Sequence, residues 1–203
     1  DAASTSFGRL DVLVNNAGRG MKYASENFLA EPTRFWDVAA ETWRLVIETN
    51  GNVLRVDGLG RVDRYTTNAD GTFNAPAGWY TRLVRNLDGS FQERESHGVT
   101  NYYFAADSFR VAHISYVRDR NGNQLSFQYD QNAQLTNTVD TLGRSITFHY
   151  DSGGRLTNVT DFSTRTVTYT YDTNGNLLSA TSRAVTGTPN NNNFPAGKTT
   201  VYT

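Results

Sequence analysis

The sequence predicts a mainly β protein, built as an antiparallel meander of β-hairpins. A tyrosine-aspartate pair recurs every 21 residues, at Tyr129-Asp130, Tyr150-Asp151 and Tyr171-Asp172. Apolar and polar residues alternate before each pair, and an Asp recurs at every tenth or eleventh residue in this stretch. A fixed period of about this length is typical of repeat architectures, which generally build surfaces or walls. The repeat therefore favours a structural or binding role over an enzymatic one.

The three repeat strands read LSFQYD, ITFHYD and VTYTYD, at residues 125–130, 146–151 and 167–172. Strict period-two alternation of this kind predicts strands with one buried face. We expect two rows of cross-strand aromatic packing on that face. One row comprises Phe127, Phe148 and Tyr169, and the other comprises Tyr129, Tyr150 and Tyr171. A second, less regular strand follows each pair, beginning at Leu135, Leu156 and Leu177.

The turns are predicted from the aspartates. In four of six cases a glycine lies three residues after the Asp, at Gly122, Gly143, Gly154 and Gly175. Asp at the first turn position can accept a hydrogen bond from its own backbone, and Gly supplies the positive φ of a type I turn with a bulge. Ala133 and Thr164 stand where Gly is expected, so those two turns should be strained or of another type. Each 21-residue repeat is therefore one hairpin, with two strands and two four-residue turns.

These motifs resemble the YD repeat of RHS proteins. YDSGGRLTNVTD (150–161) and YDTNGNLLSATS (171–182) carry the resemblance most clearly. The stretches NADGTFNAPAG, NLDGSF and DRNGNQLSFQYD precede them in the order typical of that family, and the resemblance covers about residues 51–186. It implies a long β-sheet that spirals into a hollow shell, of which this chain would be a curved fragment. The expected partners are neighbouring RHS repeats and an enclosed C-terminal cargo, in a large bacterial secreted or cell-surface protein.

The first fifty residues have a different pattern. FGRLDVLVNNAG (7–18) is an apolar run that ends in a small polar turn. ETWRLVIETN (41–50) places Trp43, Val46 and Ile47 at helical spacing. This pattern predicts a small α/β piece made of a strand, a loop and an amphipathic helix.

This segment resembles the short-chain dehydrogenase/reductase family. Its NNAG motif stands at Asn15, Asn16, Ala17 and Gly18, and Asn50 matches the family asparagine that closes the following helix. The resemblance implies a border of a nicotinamide site. The phosphate-binding Gly-rich turn is missing, however, and no Tyr-x-x-x-Lys pair exists, since the only lysines are Lys22 and Lys198. We therefore expect a truncated remnant that binds no cofactor, joined to the repeats as a chimera or fragment near Asn50.

The expected organisation has three parts. Residues 1–50 form the dehydrogenase-like segment, residues 51–186 the repeat sheet, and residues 187–203 a polar linker with the start of the next repeat strand. Both ends are expected to be cut inside elements, with no signal peptide in this chain.

Composition excludes several classes of function. The formal net charge of −1 gives no bulk attraction to nucleic acid or anionic membranes. No apolar stretch approaches the roughly 20 residues that a membrane span requires. The chain has no cysteine, and its three histidines are not paired at metal-ligand spacing. We expect no catalytic residue, no metal and no cofactor.

The function that follows is a structural piece of an RHS shell, without catalysis of its own. One alternative is a carbohydrate-binding or adhesion module that presents Tyr and Asn rows to a surface glycan. A remote alternative is an NAD(P)-dependent oxidoreductase based on residues 1–50.

Overall fold

In the computed structural model, residues 43–57, 61–188 and 193–202 are described, and every regular element among them is a β-strand. All strand pairings are antiparallel. The prediction of a mainly β antiparallel fold is therefore confirmed. The chain divides into two compact units, residues 1–122 and 123–203.

The first unit contains eight described strands. They are β1 (Arg44–Ile47), β2 (Val53–Val56), β3 (Val62–Thr67), β4 (Phe73–Asn74), β5 (Arg82–Arg85), β6 (Phe91–Arg94), β7 (Thr100–Tyr103) and β8 (Val111–Arg118). Strands β1 to β4 pair in sequence to form one arm, and β5 to β7 form a second arm. Both arms join β8, which pairs with β1 and with β7.

The helix predicted within residues 41–50 is wrong, because Arg44–Ile47 is strand β1. Hydrogen-bonded neighbours flank it on both sides, β2 and β8, and Leu45 is fully buried. Val46 and Ile47 are β-branched, and a helix of about ten residues is marginal without tertiary support. Tertiary pairing therefore overrides the helical spacing. Asn50 lies in the turn after β1, where its Oδ1 accepts a hydrogen bond from the amide of Asn52 at 3.0 Å.

The rest of the dehydrogenase-like segment lies outside the described residues. This includes the matched positions Asn15, Ala17 and Gly18. Residues 44–47 are part of the β-sheet of the first unit.

The second unit is a meander of seven strands. They are β9 (Gln124–Tyr129), β10 (Leu135–Asp140), β11 (Ser145–Tyr150), β12 (Leu156–Asp161), β13 (Thr166–Tyr171), β14 (Leu177–Thr181) and β15 (Thr199–Val201). Each pairs with the next in sequence. The strands lie at the positions that the alternation and the Asp spacing predict.

The two faces of this meander differ in chemistry. One face buries apolar side chains, of which Val159 is completely covered and Phe148 and Tyr169 are each 7% exposed. The opposite face carries hydroxyl and amide side chains that hydrogen-bond across strands, such as Thr160 with Thr166 at 2.9 Å and Thr170 with Ser179 at 2.7 Å. Burial of the aromatic face stabilises the meander, since a single hairpin is marginal in water.

The turns of the second unit that begin with an aspartate share one hydrogen-bonding pattern. In the turn that begins at Asp151, the Asp151 amide donates to the Arg155 carbonyl at 2.9 Å, and the Gly154 amide donates back to the Asp151 carbonyl at 3.0 Å. The fourth residue has positive φ, which is 79° at Gly154. Ala133 and Thr164 adopt the same geometry, with φ of 61° and 62°. Those two turns are therefore strained versions of the same type.

A further turn of this type that begins with an aspartate was missed by the sequence analysis. It begins at Asp107 in the first unit, and its fourth residue is Arg110, with φ of 63°. The Asp107 carboxylate accepts hydrogen bonds from the amides of Phe109 and Val111, each at 2.9 Å. The sequence analysis relied on a glycine three residues after the aspartate, and this turn has arginine at that position.

Replacing Thr164 with glycine should stabilise the protein. A β-branched residue at positive φ costs on the order of 1–3 kcal/mol, which the glycine variant recovers. Part of this gain is offset, because glycine has greater conformational freedom in the unfolded chain. We expect Thr164→Gly to raise the free energy of unfolding by about 1 kcal/mol, measured by urea denaturation. The matched control is Gly143→Ala, at φ of 76° with no atom within 4 Å of the added Cβ. It should lose about 1 kcal/mol. Equal stability of Thr164→Gly and wild type would contradict the strain.

Candidate functional site: the Tyr-Asp repeats and the Glu93 cluster

The repeat tyrosines reach back to the neighbouring strand. The Tyr150 hydroxyl donates to the carbonyl of Leu135 at 2.9 Å, and the Tyr171 hydroxyl donates to that of Leu156 at 2.7 Å. Each acceptor is the first residue of the preceding strand. Burial raises the pKa of Tyr129 and of Tyr171. The hydroxyls of Tyr150 and Tyr171 therefore connect each strand to the one before it.

The repeat aspartates are acceptors for their own turns. Oδ1 of Asp151 accepts from the amides of Gly153 and Arg155, each at 2.9 Å, and Oδ2 accepts from the Arg155 guanidinium at 2.7 Å. Asp130 accepts from two amides in the same way. At Asp172, the side-chain amide of Asn176 takes the place of the guanidinium, at 2.9 Å.

These bonds stabilise the charged carboxylates. The pKa of Asp151 is lowered, chiefly by the backbone amide of Arg155 and then by its side chain. The pKa of Asp172 is lowered chiefly by the Asn176 side chain. Gly143, Gly154 and Gly175 hold the positive φ that closes the turns, at 76°, 79° and 87°. The repeat residues thus close the turns and connect neighbouring strands.

A buried charged cluster in the first unit was missed by the sequence analysis. Its centre is Glu93 on β6, which is 0% exposed. Oε1 accepts the Tyr65 hydroxyl at 2.6 Å. Oε2 accepts three further donors: Arg55 Nε at 3.1 Å, Asn101 Nδ2 at 3.0 Å and the Tyr103 hydroxyl at 3.1 Å. A buried carboxylate needs such donors, since an unpaired buried charge is costly.

Arg55 is held between aromatic rings at the edge of this cluster. Its guanidinium carbon lies 5.8 Å from the ring centroid of Trp43 and 5.1 Å from that of Trp79. Burial opposes the charged form of Arg55, but Glu93 and the neighbouring tyrosines outweigh this and raise its pKa. Asp63 lies 3.6 Å from Arg55. The cation is therefore permanently charged and stacked.

The cluster joins the two arms of the first unit. Arg55 and Tyr65 come from β2 and β3, whereas Glu93, Asn101 and Tyr103 come from β6 and β7. Both carboxylate oxygens of Glu93 therefore serve as acceptors inside the cluster. The sequence signal was the parity of Phe91 and Glu93, which places both on one face of β6. A charged side chain in a strand is usually expected to face solvent, so the sequence alone did not indicate that Glu93 is buried.

The described part of the chain also bears on metal binding and membrane insertion. No group of three or more His, Cys, Asp or Glu side chains there is placed to hold a metal ion. The same residues include no helix that is long and apolar enough to cross a membrane.

Comparison with known proteins identifies the repeat. The Teneurin YD-shell family model matches residues 85–191, more than half of the chain. The chain belongs to this family. The YD-shell prediction drawn from the Tyr-Asp repeats is thereby confirmed, while the family match does not reach residues 1–50.

Curated relatives of this YD-shell chain include two Bacillus proteins. The tRNA nuclease WapA of Bacillus subtilis strain 168 is 32% identical over 101 residues, which are 50% of this chain and 4% of that protein. The tRNA(Glu)-specific nuclease WapA of Bacillus subtilis subsp. natto gives the same values. The chain therefore spans a small fraction of the length of these relatives.

Solved structures also resemble the YD-shell chain. A crystal structure of TcdB2-TccC3-Cdc42 is 18% identical, with a TM-score of 0.41, covering 76% of this chain and 9% of that one. A porin-like protein from Bacteroides uniformis ATCC 8492 is 15% identical, with a TM-score of 0.28, covering 79% of this chain and 94% of that one.

Removing the charge of Glu93 should destabilise the first unit. Glu93→Gln keeps the shape but removes the charged acceptor of Arg55, and it leaves Asp63, 3.6 Å from Arg55, as the remaining buried counter-charge. We expect a loss of about 2 kcal/mol in the free energy of unfolding, because charge-assisted hydrogen bonds of a buried group are lost. Tryptophan fluorescence reports this event, because Trp43 and Trp79 stack on Arg55. The matched control is Glu48→Gln, which breaks an exposed pair with Arg64 at 2.9 Å and should cost less than about 1 kcal/mol. If both variants lost the same free energy of unfolding, the Glu93 cluster would not stabilise the first unit more than an exposed ion pair does.

The turn aspartates should make stability fall in acid. Their pKa values are lowered in the folded chain at Asp140, Asp151, Asp161 and Asp172. A lowered folded pKa contributes stability above the unfolded value of about 4, and this is lost as the pH falls through the folded value. Urea midpoints should therefore fall below about pH 4. The double variant Asp151→Asn/Asp172→Asn should be less stable at pH 7 and converge with wild type in acid. Parallel curves would refute the linkage.

Proposed function

We propose that this chain is a structural wall segment of a shell-forming protein that encloses a C-terminal cargo. The parent is a large bacterial secreted or cell-surface protein, and the partners of this segment are neighbouring repeats and the cargo. Membership of the YD-shell family is the observation that carries the proposal.

The geometry of the second unit supports a wall role. Tyr150 and Tyr171 fasten successive strands, and the turn aspartates close each hairpin. Stacked units of this kind gain stability from their neighbours, so a wall can be lengthened by adding hairpins. We propose that the segment performs no catalysis of its own, and that the nuclease activity named for WapA belongs to other parts of those proteins.

Protection of the cargo tests this function in the full-length parent. Trypsin should digest the C-terminal cargo far more slowly in the intact parent than in the isolated cargo. The double variant Tyr150→Ala/Tyr171→Ala removes two strand fasteners and should open the wall, which would speed digestion of the cargo. Thr168→Ala, on the exposed face of β13, serves as the matched control and should leave protection intact. Equal digestion of enclosed and isolated cargo would refute the shell role.

The glycan-binding alternative requires Tyr and Asn side chains on one accessible face. Asn158 pairs with Thr168, on the face opposite Tyr169, which is 7% exposed. This separation disfavours stacking of a sugar on tyrosine beside an asparagine. A glycan array with the full chain decides the matter, and absence of binding at millimolar sugar removes the alternative. The remote oxidoreductase alternative is removed if NADH fluorescence does not change on titration with the chain.

A further inference from the structure

A row of three arginines crosses the second arm of the first unit. The strand register pairs Arg82 with Arg94, Arg94 with Thr100, and Thr100 with Arg118. These four residues therefore lie on one line across β5, β6, β7 and β8. Glu93 and Leu83 are buried on the inner face, so the arginine row lies on the outer face, because successive strand residues alternate between faces.

No acidic residue shares that face of the four strands. The adjacent row, aligned by the same register, consists of Val84, Gln92, Tyr102 and Tyr116. Arg82 and Arg94 are exposed, and neither forms an ion pair among the described residues. The nearby Glu95 carboxylate already contacts His97 at 2.8 Å. Like charges directly opposite each other destabilise a sheet, so the pairing of Arg82 with Arg94 costs stability.

Arg118 is held in place at the end of this row. Its guanidinium carbon lies 5.0 Å and 5.2 Å from the ring centroids of Tyr102 and Tyr116. The two rings stack with centroids 4.1 Å apart, and the Arg118 Nη2 donates to the Tyr116 hydroxyl at 2.9 Å. The Arg118 Nε is buried and has no hydrogen-bond partner among the described residues. The stacking and this hydrogen bond hold the Arg118 guanidinium, and with it a positive charge, in a fixed position at the end of the row.

We propose that Arg82, Arg94 and Arg118 form a binding site for a compact polyanion of the oligophosphate class. Neighbouring strands lie about 4.8 Å apart, so the row presents three guanidinium groups over about 15 Å. The exposed guanidinium groups of Arg82 and Arg94 can each bind two oxygens of a phosphate group in a bidentate manner. An oligophosphate concentrates negative charge over this length, and its binding would relieve the repulsion between Arg82 and Arg94. The site is local, since the chain as a whole has a net charge of −1, and it does not depend on the wall role.

Binding of inorganic tripolyphosphate to the full chain tests the proposal. Isothermal titration calorimetry at low salt should show binding by wild type, weakened about tenfold by Arg94→Gln because one charge-assisted contact is lost. The affinity should also fall with added salt, less steeply in the variant. Arg85→Gln is the matched control. Arg85 is the last residue of β5, the strand that begins at Arg82, but it lies on the same face as the buried Leu83 and not on the face of the arginine row. It should change the affinity less than about twofold.

Two further readouts keep the test decisive. Without ligand, Arg94→Gln should melt at the same temperature as wild type or higher, because a like-charge neighbour is removed. A lower melting temperature would assign the row a structural role and overturn the proposal. Absence of tripolyphosphate binding at millimolar concentration, or equal weakening by Arg85→Gln, would also overturn it. If oligothymidylate binds in an arginine-dependent manner and tripolyphosphate does not bind, the proposed oligophosphate ligand is wrong and the row binds a nucleic acid instead.

Discussion

The closed turn is the constraint on which the repeat sheet depends. A carboxylate at the first position, as at Asp151, accepts two backbone amides, and the fourth residue takes positive φ. The chain therefore reverses at a defined residue. Since a slip of one residue would move every side chain of a strand to the opposite face, the turn decides which side chains are buried. The tyrosine bonds to Leu135 and Leu156 become possible only in that register.

The first unit depends on a buried hydrogen-bonded cluster in place of repeated turns. Its two arms meet face to face, and Glu93 supplies four acceptor contacts where an apolar core would supply packing alone. A buried ionic cluster is seldom a source of net stability relative to apolar residues. Its hydrogen bonds are directional, however, and they connect side chains of β2, β3 and β7 to Glu93 on β6. On the outer face of the same arm, Arg82 and Arg94 are paired with each other and form no ion pair among the described residues, which is the basis of the proposed anion site.

The features predicted correctly from the sequence are those that depend on residues close together in the chain. Alternation placed Phe148 and Tyr169 on the buried face, and the Asp-Gly spacing located the turns that end at Gly154 and Gly175. What it missed depends on distant partners. Residues 44–47 form a strand because β8, some 65 residues later, pairs with them. Glu93 finds its donors on three other strands, and the arginine row exists only through the register of β5 to β8.

Hydrogen–deuterium exchange in Asp151→Ala tests most directly whether the turn sets the register of its hairpin. The substitution removes the acceptor for the amides of Gly153 and Arg155 without touching either strand. If the turn determines pairing, exchange should quicken along both β11 and β12, over residues 145–161, and the hydroxyl contact of Tyr171 with Leu156 should weaken. If exchange rises only within the four turn residues, the strands hold their register without the turn, and the account is contradicted.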